Sequence, residues 1–310
     1  MDFKNNQSKG ILYACITALM WGVLAIALKL MLNDLDPASV VFVRFSIAFI
    51  FLFIFHIVRD PASLRIFRHP PILLPVAALF LAYNYYGFIV GLKFTTPASS
   101  QVFIQIGPVC LAMGGIIFFH EQVTLRQFFG FLLLIFGFSL YYYELVHGHA
   151  GQGKFFIQGV LWLISGGISW SVFALIQKKL LKDYKASDLN LFIYGFCALL
   201  MLPFFNFHAA MGLSFASWSN LIFLGLNTLI AYNCFALAMQ YSDANKISVI
   251  VTLNPVLTFV IMYFLGVFQV SWIAHEHFTL VNISGAVIAL VGALMVVLLP
   301  QRKIGMIQSN

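Results

Sequence analysis

Asn84 and Asn233 each sit inside a long apolar run, each directly after a tyrosine. An amide donates and accepts at once, so the two could hydrogen-bond a polar molecule from opposite walls. The competing reading makes them glue between helices, worth about 1 kcal/mol. Tyr83, Tyr86 and Tyr232 lie beside them. A ring with a hydroxyl suits a partly wet cavity as well as a packed interface. Gln101 and Gln105 are four apart and share one helix face. Pro108 and Pro255 release the carbonyls of Ile104 and Val251. Such a helix break serves as a ligand site, a hinge or a simple kink, and Asn254 stands beside the second one. Trp21 lies roughly 15 Å into its run and Trp170 is its match. At that depth a tryptophan faces a cavity or packs between helices rather than joining the interfacial belt.

Arg44 is the one basic residue deep in an apolar run, about 10 Å beyond Pro37. A mid-membrane arginine costs about 2.5–3.5 kcal/mol on insertion scales, and no helix centre offers an Asp or Glu to it. Its partners are therefore neighbouring carbonyls, water, or a carboxylate or phosphate on a substrate. Other chemistry is absent from the pattern. Thr124 with Gln127 reads as a capping box, and Glu121 and Glu276 read as acids favoured near a helix start. The HEHFT stretch at 275–279 lacks the second histidine of a zincin. Cys15, Cys110, Cys197 and Cys234 lie in apolar runs without metal-ligand spacing and read as buried small residues. No catalytic residue, metal or cofactor is expected.

These residues need a frame. Of 310 residues, 62% are hydrophobic and 9% charged, against roughly 25% charged in soluble domains, so most of the surface must face lipid. A spanning helix takes about 20 apolar residues. Ten runs qualify: 11–32, 37–58, 72–92, 97–119, 125–143, 156–177, 187–207, 217–240, 245–267 and 279–299. The first is too long, and lacks the cleavage site, for a signal peptide. With the N-terminus cytoplasmic, 13 of the 17 Lys and Arg fall on the inner side and three on the outer, Arg44 aside. This bias places both termini inside. It also accounts for the net charge of +7 without nucleic acid. The expected partners are lipid bilayer and a small-molecule substrate.

The runs repeat. Met20-Trp21-Gly22 matches Ser169-Trp170-Ser171 and Ala82-Tyr83-Asn84 matches Ala231-Tyr232-Asn233, both at an offset of 149. Ile106-Gly107-Pro108 matches Leu253-Asn254-Pro255 at 147. His120-Glu121-x-x-Thr124-Leu125 matches His275-Glu276-x-x-Thr279-Leu280 at 155, as do Gly130 and Gly137 with Gly285 and Gly292. The second-repeat counterpart of Arg44 is Phe192, at an offset of 148, so symmetry does not require it. A duplicated unit of five helices must lie upside down in its second copy, and inverted repeats mark secondary transporters with a midplane site. The glycines allow close helix packing, in one chain or in a homodimer.

With five plus five helices, a mid-helix Trp in the first and sixth, the GLKFTTPASS run, the NP of the ninth and the E-x-x-T turns, the chain resembles the drug/metabolite transporter superfamily, EamA-type, over about residues 10–299. The resemblance implies two five-helix repeats, 10–149 and 156–300, around a central cavity lined by the first, third, fourth, sixth, eighth and ninth helices. It implies alternating access and, as for many members, export of a small metabolite such as an amino acid, amine or drug-like compound. The connection before the tenth helix is longer than the family's. A membrane enzyme acting on lipid or isoprenoid is the competing class, and a channel or scaffold a third. His147, His149, His208, His275 and His277 gather on the predicted outer side, but without an Asp-rich or hydrolytic motif.

Overall fold

The computed structural model describes residues 3–119, 124–148, 153–273 and 279–298. All regular structure among them is helical. We number the ten long helices α1 (Phe3–Met31), α2 (Pro37–Arg59), α3 (Leu73–Phe94), α4 (Pro97–Phe103 and Ile106–Phe119), α5 (Leu125–Gly148), α6 (Gly153–Leu180), α7 (Ala186–Met201), α8 (Phe215–Tyr241), α9 (Ala244–Val251 and Asn254–Val267) and α10 (Leu280–Leu298). Eight of the ten are long and apolar enough to cross a membrane. In α5 and α10 the apolar stretches Leu125–Leu140 and Ile283–Gly292 are shorter.

Local chemistry explains most boundaries. Asp36, Thr96 and Ser214 each accept a hydrogen bond from a backbone N–H in the first turn of α2, α4 and α8. The Thr124–Gln127 box is formed in both directions: Thr124 N donates to Gln127 Oε1 at 3.0 Å and Gln127 N to Thr124 Oγ1 at 3.3 Å. Glu121 and Glu276, and the HEHFT stretch with them, lie outside the described residues. Two boundaries depart from the apolar runs by six residues or more. Helix α1 begins at Phe3 rather than residue 11, because its polar start holds no residue that stops a helix before Gly10. Helix α7 ends at Met201 rather than 207, because Pro203 cannot continue it and the chain tightens into a 3-10 turn. The free cysteines also differ: only Cys197 is buried, and Cys15 is exposed on α1.

The halves exchange partners. Helix α3 packs on α6 and α8 on α1, α2 packs on α7, α5 on α10, and each piece of α4 meets the opposite piece of α9. Helix n of one half meets helix m of the other in both directions, which a two-fold axis between inverted repeats produces. The fold is thus an all-α membrane protein of ten helices in two inverted five-helix repeats. The α5–α10 pair is close enough to need glycine: a Cβ at Gly137 would stand 2.5 Å from Ala289 N, and one at Gly292 would stand 2.6 Å from Gly130 O. These glycines therefore serve packing within the chain.

Candidate functional site

The axis passes where the matched tryptophans meet. Trp21 and Trp170 stand edge to face with centroids 5.6 Å apart, the arrangement that ring quadrupoles favour. Tyr232 tilts against Trp21 at 5.3 Å, and Tyr85 against Tyr232 at 5.6 Å. Between these rings lies a cavity of about 70 Å³. A water needs roughly 10–15 Å³ of such space, so the cavity admits several waters or part of a small solute.

Of the residues singled out above, Trp21, Asn84, Gln101, Gln105, Trp170 and Tyr232 line this cavity. So do Arg44, Asn254 and Pro108. Pro255 sits in the first turn of the second piece of α9, where a missing N–H is harmless. Both α4 and α9 are broken just before these prolines, at residues 104–105 and 252–253. The loosened carbonyls behave differently from expectation in α4: Ile104 O accepts from Gly107 N at 2.9 Å. Ser248 of α9 donates through Oγ to the carbonyl of Pro108, which joins the two breaks across the halves.

Three of the expected residues lie elsewhere. Tyr83 is 42% exposed and donates to Ser165 of α6 at 3.1 Å. Tyr86 stands edge to face with Trp162 at 5.9 Å. Asn233 donates to Leu229 O in its own helix at 2.9 Å. Its Oδ1 accepts from Asn190 Nδ2 at 2.8 Å, and Asn190 Oδ1 accepts from Gln177 Nε2 at 2.8 Å. Asn233 is therefore glue among α6, α7 and α8. Tyr85 and Phe88 line the cavity in place of the outer tyrosines. A helical wheel through Asn84 would have found Phe88, one turn on. Gly87 and Gly91, spaced four apart from Tyr83, mark the face that packs on α6.

The polar groups are oriented by their own hydrogen bonds. Asn84 Nδ2 donates to Gly166 O at 2.9 Å, Gln101 Nε2 to Trp21 O at 2.9 Å and Gln105 Nε2 to Gln101 O at 3.0 Å. A carbonyl only accepts, so each of these amides must keep its nitrogen there. Arg44 is 2% exposed. Its Nε donates to Thr228 Oγ1 at 3.2 Å and its guanidinium lies 4.5 Å from the centre of the Tyr85 ring. The contact is a cation–π pair. No described carboxylate forms an ion pair with it.

An inverted-repeat membrane bundle with a polar cavity at its axis is the architecture of a membrane transporter. The model of the EamA-like transporter family matches residues 8–143 and 157–298, and the chain belongs to that family. It is 30% identical over 297 residues to "Uncharacterized inner membrane transporter YhbE" of Escherichia coli strain K12, covering 94% of this chain and 92% of that one. It is 27% identical over 294 residues to an "Uncharacterized transporter" of Haemophilus influenzae, covering 94% and 95%. A solved crystal structure at 17% identity superposes with a TM-score of 0.73 over 94% of this chain and 97% of its own, and so shares the fold. The protein is a multi-pass membrane transporter.

Proposed function

We propose that the chain is a secondary transporter that moves a small metabolite such as an amino acid, amine or drug-like compound by alternating access through the central cavity. The reading further places it in the inner membrane with both termini cytoplasmic, and takes export as the direction, as in many of the proteins it resembles. One observation carries it: both halves build the cavity wall, and the α4 and α9 breaks meet there through Ser248 and Pro108. Rocking one half against the other would move both walls together.

The test is counterflow into proteoliposomes with labelled amino acids, amines and organic acids. Saturable exchange of at least one compound is expected, and Trp21→Ala should abolish it while the purified variant still melts cooperatively. Absence of saturable flux for every class would overturn the reading. Undiminished flux in a folded Trp21→Ala variant would remove the cavity from it.

A further inference from the structure

We infer that the substrate is a small carboxylate that also carries an N–H or O–H donor, with its carboxylate on Arg44 and its donors on the amide oxygens of Asn84, Gln101 and Gln105. This rests on the transport reading and narrows it. Among the described residues Arg44 makes one hydrogen bond, through Nε, and both terminal nitrogens have no acceptor there. A guanidinium carries five donors in a planar fork suited to a carboxylate. A nearly fully buried cation with no carboxylate near it is strongly unfavourable. An arriving anion would relieve that.

The amides supply the second half of the argument. Each already uses one of its two N–H groups on a backbone carbonyl, of Gly166, Trp21 or Gln101. Their oxygens are thereby held as acceptors, and Gln105 Oε1 is buried with no partner at all. Such a cavity rewards a ligand that brings donors. A ligand of acceptors alone would strand these oxygens, since an unsatisfied buried polar atom is costly. The charge count then chooses among anions. A phosphate monoester carries about −1.5 to −2 at neutral pH and would leave charge uncompensated beside one cation. A carboxylate carries one. The surrounding rings of Trp21, Trp170, Tyr85 and Tyr232 suit an apolar remainder.

Matched probes test this without knowing the natural compound: mandelate with mandelamide, phenylalanine with phenylalaninamide, and phenylacetate, which has the carboxylate and no donor. Binding to the purified full chain is read by thermal shift and tryptophan fluorescence. At least one donor-bearing acid should bind about tenfold or more tightly than its amide, with phenylacetate weaker than mandelate. Arg44→Gln should erase the acid–amide difference, and Arg44→Lys should keep part of it. Equal binding of acid and amide, no binding of any probe, or a preference that survives Arg44→Gln would overturn the inference. Should Arg44→Gln not fold, the wild-type acid–amide comparison decides alone. Flux of neutral compounds with no preference for acids would sink this inference and leave the transporter standing. Acid binding without flux would do the reverse.

Discussion

Helices α3 and α8 carry the same Ala-Tyr-Asn tripeptide at matched places and turn it in different directions. In α3 Asn84 faces the cavity and Tyr83 is turned out toward Ser165. In α8 Tyr232 faces the cavity and Asn233 is turned toward α7. Neighbouring residues on a helix are about 100° apart, so the exchange amounts to rotating one helix by a single residue within a two-fold scaffold. The same divergence recurs elsewhere. Arg44 lines the cavity, while its counterpart Phe192 packs against Phe67 and Phe196. Gln101 and Gln105 line it, while their counterparts at the α4–α9 offset, Ser248 and Thr252, hydrogen-bond backbone carbonyls. The duplication thus preserves backbone packing in both halves, and the first half carries most of the cavity's polar groups.

The comparison breaks most sharply at the paired asparagines. Asn84→Ala is expected to abolish flux, because it removes an acceptor held at the cavity, and also to lower the melting temperature, because it deletes the bond to Gly166 O. Asn233→Ala should keep flux and lose stability by about 0.6–1.7 kcal/mol. Flux assays and melts on both variants decide it. If Asn233→Ala stopped transport while Asn84→Ala did not, the assignment of faces would be inverted.

Asn190 sharpens the other side of the contrast. It is buried and joins Gln177, Asn233 and the carbonyl of Tyr232 through bonds of 2.8, 2.8 and 3.1 Å. Asn190→Leu removes all three and should lower stability by about 2 kcal/mol, with flux per folded molecule unchanged. A large loss of flux at unchanged melting would mean that the amide chain belongs to the transport path.

What the sequence makes legible follows from this division. Ten spans, their inversion and the two helix breaks are readable, because apolar length, an odd repeat and proline placement each have one structural consequence. Trp21, Trp170, Arg44 and the two glutamines are readable as polar or aromatic groups too deep to be incidental. Helix rotation is not readable from the repeat alone. Tyr83 and Tyr85 lie at equal angles from Asn84, and only the Gly87–Gly91 stripe on the α6 side separates them. In α8 the choice between Tyr232 and Asn233 depends on Asn190, which sits more than 40 positions away on another helix. The prolines mark where α4 and α9 break, while the apolar runs 97–119 and 245–267 continue across residues 104–105 and 252–253.

An exposed tie between the halves is the pair Asp60–Lys185, 2.8 Å apart at the end of α2 and the start of α7. The hydrogen bond from Lys185 holds the Asp60 carboxyl below its ordinary value, with Ser63 adding to the effect, and Asp60 in turn raises Lys185. A lowered acid contributes stability above its ordinary pKa, and that contribution fades as pH falls through the lowered value. A raised base contributes below its ordinary pKa, and its share fades as pH rises through the raised value. The tie is therefore complete across neutral pH and fails only in strong acid or strong alkali. Exposed pairs contribute little, so Lys185→Gln should shift the melting temperature least of the variants named here and leave flux unaltered. Its small effect should shrink further in high salt. A melting shift as large as that of Asn190→Leu would mean that the halves are held together at this surface as much as by the buried amides, and the division between scaffold and chemistry would have to include the loops.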